Sequence, residues 1–193
     1  MRINEIFYSL QGEGANAGRA AIFIRFAGCN LKCPFCDTQH QQGKEMTAEE
    51  IVLAIRKFPC SFVVLTGGEP TLQINQNLID RLKVKGYEVA IETNGTRPLG
   101  VTGIDWVVVS PKADFVENAS LKIEKINEMK VVFNGKHDPQ RWLLYCADVY
   151  YLQPCDIGDA EKNEKIIQQC IEYIKKHESW RLSLQTQKIL NIR

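Results

Sequence analysis

No run in the 193-residue chain is long and apolar enough to span a bilayer, and the opening MRINEIFYSLQGEG lacks the basic and apolar regions of a secretion signal. Neither sign of charge is in excess. Lys and Arg number 24 against 23 Asp and Glu, a formal net charge of +1, whereas binders of long nucleic acid usually carry a basic surplus. These absences predict a cytoplasmic protein with no membrane and no nucleic-acid partner. Repeats, low-complexity tracts and linkers are also missing. With 45% hydrophobic residues, residues 1–193 are expected to form one domain around a sizeable core. The last absence is local: three cysteines fall within CNLKCPFC (29–36), and no fourth follows nearby.

Seven cysteines in a reducing compartment argue for metal or catalysis before disulfides. Cys60, Cys146, Cys155 and Cys170 are scattered singly, with no clustered spacing, and read as small hydrophobes without a second cluster.

Apolar, β-branched runs recur along the chain: AAIFIRFAG (20–28), SFVVLT (61–66), YEVAIET (87–93), IDWVVVS (104–110), EMKVVF (128–133) and DVYYLQ (148–153). Helical patterns lie between them at 47–58, 73–86, 138–145 and, most clearly, 159–177, and a last short strand is expected at 181–185. Thr47 and Glu50 have capping-box spacing. Continuous apolar strands alternating with helices predict an α/β fold with a parallel sheet and covered faces. FAGCN, LTGGEP, IETNGT, VVSPK and YLQPCD each close such a run with polar residues. In a parallel β/α barrel those ends share one rim, where active sites are built, and a closed barrel takes about 250 residues. The expected architecture is therefore an open, partial parallel β/α barrel of about six strands.

Three cysteines in C-x3-C-x2-C spacing can ligate three corners of an iron–sulfur cube and leave the fourth iron open. Alternatively, His40, one of only three histidines, could complete a Cys3His zinc site. The order of motifs bears on the choice, because the cysteine loop follows the first long strand and TGGEP (66–70) the next.

CNLKCPFC with LTGGEP resembles the radical S-adenosylmethionine (SAM) superfamily, whose C-x3-C-x2-C signature carries an aromatic before the last cysteine, here Phe35. The resemblance implies a [4Fe–4S] cluster on Cys29, Cys33 and Cys36, with SAM chelating the open iron and yielding a 5′-deoxyadenosyl radical on one-electron reduction. It assigns SAM contacts to Phe35 and Asp37 in the cluster loop and to Gly67, Gly68 and Glu69. Further contacts fall to Ser110, Pro111 and Lys112, and to Gln153, Pro154, Cys155 and Asp156, all at later strand ends. Small glycines would let the backbone approach the SAM amine, while Glu69 would accept from that amine or fix the loop.

YSLQGEG (8–14), Arg25 and CDT (36–38) narrow the resemblance to the 7-carboxy-7-deazaguanine synthase family, and it runs almost end to end, to LSLQTQK. It implies a ring-contracting lyase that turns 6-carboxy-5,6,7,8-tetrahydropterin into 7-carboxy-7-deazaguanine with release of ammonia, on the route to queuosine and related 7-deazapurines. The resemblance further implies that SAM is regenerated, that Mg2+ assists, that a flavodoxin or ferredoxin is the reductant, and that the protein is a homodimer. Leu10, Gln11, Gly12, Glu13, Arg25, Thr66, Glu92 and Gln185 become substrate contacts, with Arg25 suited to a bidentate pair with the carboxylate. Thr38 offers Mg2+ one neutral oxygen, so most of its ligands would be substrate and water. The family often has a histidine where LQTQK has Gln187, which cannot titrate near neutral pH. A radical SAM activase that installs a glycyl radical in a partner protein is the alternative reading.

Overall fold

The computed structural model describes all residues 1–193. Strand β1 (Arg2–Leu10) runs antiparallel to β2 (Ala20–Phe26), and the two-residue β3 (Lys44–Glu45) pairs with the far edge of β1. Helix α1 (Ala48–Ile55) leads to β4 (Phe62–Gly67), and α2 (Gln76–Val84) to β5 (Glu88–Thr93). Strands β6 (Trp106–Val109), β7 (Glu128–Phe133) and β8 (Val149–Pro154) follow, then α3 (Ala160–Lys176), β9 (Trp180–Leu182) and the one-turn α4 (Thr186–Ile189). The sheet order is β3-β1-β2-β4-β5-β6-β7-β8-β9, and every pairing from β2 onward is parallel. The sheet is open, with β3 and β9 as its edges.

The expected open, parallel architecture is present, with differences in detail. Seven strands run parallel, and the antiparallel β1–β3 edge extends them. The stretch 138–145 forms a 3-10 helix, Pro139–Leu144, capped by the Asp138 side chain; the residues expected as strand at 181–185 pair only as far as Leu182 before turning into α4. No helix connects β5 to β6 or β6 to β7. Thr47 caps α1 in a complete capping box with Glu50, worth about 1 kcal/mol.

Strand alternation decides where the site lies, because successive side chains point to opposite faces. Ile22, Ile24, Val63, Leu65, Val89, Ile91, Val107, Val109, Met129, Val131 and Leu152 pack with α1, α2 and α3 in one core of 28 buried residues. Their neighbours face the other side, the lumen. There Phe7, Phe23, Phe62, Val64 and Ala90 form a small apolar floor near the strand starts. Closer to the strand ends the same face turns polar, with Arg25, Thr66, Glu92, Ser110, Lys130 and Gln153. Helix-covered apolar residues hold the sheet, and the lumen positions are left for chemistry.

The ends of β2 and β4 are joined more closely than side chains allow. The Gly68 N–H donates to the Phe26 carbonyl (3.0 Å) and the Glu69 N–H to the Gly28 carbonyl (2.9 Å). A Cβ on Gly68 would fall 1.8 Å from the Gly28 oxygen, next to Cys29. Gly67 has φ +127 and meets Phe26 backbone atoms at 2.4 Å from an ideal Cβ. The bare backbone of both glycines is thus required by the neighbouring strand. Gly68→Ala is expected to destabilise the fold by about 1–3 kcal/mol and to displace the first cysteine of the loop. The checks are a lowered thermal midpoint and less iron bound per chain after anaerobic reconstitution.

Candidate active site

One cleft of about 1450 Å3 opens at the C-terminal ends of the parallel strands. All the residues singled out from the sequence line it except Glu69 and Pro111, which are buried beneath its wall. The cysteine loop leaves β2 through Gly28, whose N–H donates to the His40 carbonyl (2.7 Å), so the loop closes on itself. Cys29 and Cys33 are half-buried and Cys36 is exposed. Burial pushes the Cys29 and Cys33 thiols up, and at Cys33 the Lys112 ammonium works against it.

No three of the His, Cys, Asp and Glu side chains converge on a point as a single zinc ion would demand. Three thiols spread along one loop, facing a cleft and without a fourth protein ligand, instead suit a cluster with one open corner. Asn94 backs the first of them. Its Nδ2 donates to Asn30 Oδ1 (3.1 Å) and points at Cys29 Sγ (4.0 Å), while Asn30 Nδ2 donates to Thr96 (2.9 Å). Phe35, before the last cysteine, meets the Phe115 ring edge-on at 4.7 Å.

Glu69 has its carboxylate in use within the protein. Oε1 accepts from the Thr71 hydroxyl (2.6 Å), the Thr71 N–H (3.1 Å) and the Thr93 hydroxyl (2.7 Å), and Oε2 from the Asn94 N–H (2.8 Å). Of its two expected roles, fixing the loop is the one with geometry. Pro70 opens the short 3-10 turn Pro70–Leu72 that Glu69 caps. On the other side of the cleft Lys112 donates to the Ser110 carbonyl (2.8 Å) and contacts its hydroxyl; burial lowers this ammonium to about 8. Asp37 and Asp156 are bridged by Lys188 of α4, at 2.7 and 2.8 Å. That cation ties the cluster loop to the end of β8.

The loop between β1 and β2 folds into the lumen, stitched by Gln11 N–H to Arg19 O (2.8 Å) and Gly18 N–H to Gln11 O (2.7 Å). It delivers Glu13 to Lys130 of β7 (2.7 Å). Lys130 also lies 3.6 Å from Glu92, and Glu92 accepts from Gln11 (3.0 Å) and the Thr66 hydroxyl (2.9 Å). Glu13 Oε1 accepts from Gln185 (3.1 Å) and Gln187 (2.9 Å) beyond β9. Burial alone would raise the Glu13 carboxyl; the Lys130 charge, its hydrogen bond and the two amides outweigh it and hold Glu13 down to about 2. Arg25 lines the cleft and reaches Glu5 through Nε (2.9 Å), with its guanidinium carbon 5.7 Å from the Phe7 ring centroid. Leu10 and Gly12 line the same mouth, and a Cβ on Gly12 would strike the Gln187 amide. Thr38 lines the cleft two residues beyond Cys36.

Lys130, Lys188 and Glu5 were not singled out from the sequence. Only Lys130 left a signal, as the second of two charges, with Glu128, in the otherwise apolar run EMKVVF, both at positions that alternation turns to the lumen. A carboxyl held low in the fold stabilises it fully above the ordinary carboxylate range and less as pH falls toward the folded value. Wild-type stability should therefore drop between about pH 4.5 and 2 partly through Glu13. Glu13→Gln should be less stable at neutral pH yet lose less across that window, as read from denaturant midpoints at several pH values.

Comparison with known proteins agrees with this geometry. The Radical SAM superfamily model matches residues 23–147. The 7-carboxy-7-deazaguanine synthase of Bacteroides thetaiotaomicron is 50% identical over 192 residues, covering 100% of this chain and 98% of that one. The enzyme of the same name from Burkholderia multivorans is 44% identical, covering 98% of each. The crystal structure of QueE from Escherichia coli superposes with a TM-score of 0.79 at 31% identity, over 95% of this chain and 92% of that one. Streptococcus suis SuiB, at 14% identity and a TM-score of 0.56, shares the fold alone. None of these names supports the activase alternative. A three-cysteine loop at the rim of an open parallel sheet, and full-length likeness to these synthases, place the chain in the 7-carboxy-7-deazaguanine synthase family of the radical SAM superfamily.

Proposed function

We propose that the chain converts 6-carboxy-5,6,7,8-tetrahydropterin to 7-carboxy-7-deazaguanine with loss of ammonia, as one domain working as a homodimer in a reducing compartment. The observation that carries this reading is the pairing, in one cleft, of a three-cysteine loop with a lumen wall of hydrogen-bonding groups. When bound to the cluster, SAM would supply the radical chemistry, able to take a hydrogen atom from C6 of the substrate. Everything else is positioning by the chain.

Cys29, Cys33 and Cys36 would hold the cluster. Asn94 and the Glu69-fixed loop keep the first of them in place, and Gly67, Gly68, Ser110, Lys112, Gln153 and the Pro154–Asp156 segment line the cleft in which SAM would bind. Arg25, steadied through Nε by Glu5, presents its remaining nitrogens to the substrate carboxylate. Gln11, Glu13, Glu92 and Gln185 address the pterin ring, whose edge offers donors and acceptors. Thr38 would supply one oxygen to Mg2+, which prefers oxygen ligands and keeps its waters, so the ion would bind well only with substrate present. The rim over the cysteine loop is open to a flavodoxin- or ferredoxin-type reductant.

The test is anaerobic incubation of reconstituted protein with the carboxytetrahydropterin, SAM, Mg2+ and reductant, with chromatographic detection of the deazapurine. A fully loaded cluster with no deazapurine would sink the reading. Cys33→Ala should lose the cluster and all SAM cleavage. Arg25→Ala should keep the cluster and raise KM by roughly 10- to 100-fold, the scale of one charge-assisted hydrogen bond; an unchanged KM would remove Arg25 from the carboxylate site.

A further inference from the structure

Asn94 follows β5 and is 8% exposed, on the wall of the cleft beside the cysteine loop. The direction of its amide is fixed by its partners. A backbone N–H can only donate, so the side-chain atom that meets the Thr96 N–H (3.0 Å) must be the oxygen. The Thr96 hydroxyl gives its one hydrogen to that same oxygen (2.7 Å) and can then only accept, from Asn30 Nδ2 (2.9 Å). This turns the Asn30 oxygen toward Asn94 Nδ2 (3.1 Å). Asn94, Thr96 and Asn30 thus form a closed ring in which each donor and acceptor has one possible assignment.

An asparagine NH2 carries two hydrogens. One goes to Asn30, and the other meets a single acceptor in the protein, Cys29 Sγ at 4.0 Å. The Cys29 sulfur also receives the Leu31 N–H (3.4 Å) from its own loop, whereas no side-chain donor reaches the sulfur of Cys33 or Cys36. The backbone N–H of Asn94 is held by Glu69 Oε2 (2.8 Å), and Glu69 Oε1 by Thr71 and Thr93. The amide therefore stands between a buried carboxylate and the first cysteine. Once that thiol is a metal ligand it is a thiolate, and the two groups flanking Asn94 carry like charge.

We propose that Asn94 is a positioning residue that acts through Cys29: its amide N–H donates to the Cys29 thiolate and raises the reduction potential of the cluster that the three cysteines would hold. The step concerned is the gain of one electron from a low-potential donor. It adds one negative charge and breaks no bond in the chain, so a donor aimed at a ligand sulfur favours the reduced side. The inference rests on the cluster reading of Cys29, Cys33 and Cys36 and is independent of the substrate that the lumen takes.

The experiment is an anaerobic redox titration of the reconstituted protein without SAM, followed by the EPR signal of the reduced cluster, with iron per chain measured on the same samples. Asn94→Ala should still load its cluster, since all three cysteines and the Leu31 N–H remain. Its reduction equilibrium should fall by roughly 3- to 10-fold, the worth of one ordinary hydrogen bond; the upper figure is about 59 mV for one electron. Asn94→Asp, of the same shape with oxygen in place of NH2, should fall further, because a negative charge then faces the thiolate. Thr96→Val keeps Asn94 but removes the hydroxyl that holds its oxygen, and should move the potential the same way by less. A residue that only packs against the loop would lower thermal stability or iron content without moving the potential of the loaded fraction. An unshifted potential in fully loaded Asn94→Ala and Asn94→Asp would overturn the inference and leave the cluster reading intact. Should neither Asn94 variant load, an unshifted Thr96→Val would overturn it in the same way. Failure of the wild type to hold a [4Fe–4S] cluster would overturn both.

Discussion

The site is organised around a buried ion pair between Glu13 and Lys130, 117 residues apart in sequence and 2.7 Å apart in space. It anchors a loop that would otherwise be a flexible connection between two antiparallel strands, and it does so across the lumen. Breaking a buried pair by removing one partner costs about 3–5 kcal/mol, because the other charge is left without compensation. Such a pair is a poor source of net stability compared with apolar packing. Its value here is geometric, since Gln185 and Gln187 donate to the Glu13 carboxylate that it anchors, and Gln11 donates to Glu92 beside it.

A second constraint places the cluster loop relative to that lumen. The β4 end crosses the β2 end at backbone distance, through Gly67 and Gly68, and Glu69 locks the crossing from below with four hydrogen bonds. Cys29 follows immediately, so its position is set by the sheet and not by the loop's own preferences. Asn94 extends the arrangement to β5. Lys188 closes it from the opposite rim by joining the Asp37 side of the loop to Asp156. The cysteine loop and the polar lumen wall are therefore held by the same parallel strands, the loop just beyond their ends and the wall along their lumen-facing positions.

Much of this was legible in the chain. Apolar runs ending in polar residues disclosed a parallel sheet with one functional rim, and CNLKCPFC followed by TGGEP disclosed the cluster loop and the loop beside it. Less was legible where two elements meet. The glycines of TGGEP read as room for a ligand, whereas their closest neighbour is the β2 backbone. Glu69 read either as a contact to the SAM amine or as a fixer of its loop, and only the hydrogen bonds from Thr71, Thr93 and Asn94, the last two distant in sequence, show the second. Lys188 lies in a polar tail whose pattern carries no sign of a bridge. Lys130 was the instructive miss, since a lysine inside EMKVVF is costly to bury unless paired, and its partner comes from the far end of the chain. Periodicity says which face a residue takes, and pairing across the lumen depends on topology that periodicity does not contain.

In the proposed reaction the cluster end and this lumen together carry out a ring contraction that returns SAM after each cycle. The most direct measurement is product formed at limiting SAM, with protein, substrate and reductant in excess. The account predicts several equivalents of 7-carboxy-7-deazaguanine for each SAM supplied, with little accumulation of 5′-deoxyadenosine. One equivalent of 5′-deoxyadenosine for every product molecule, with turnover ending when SAM is exhausted, would contradict it.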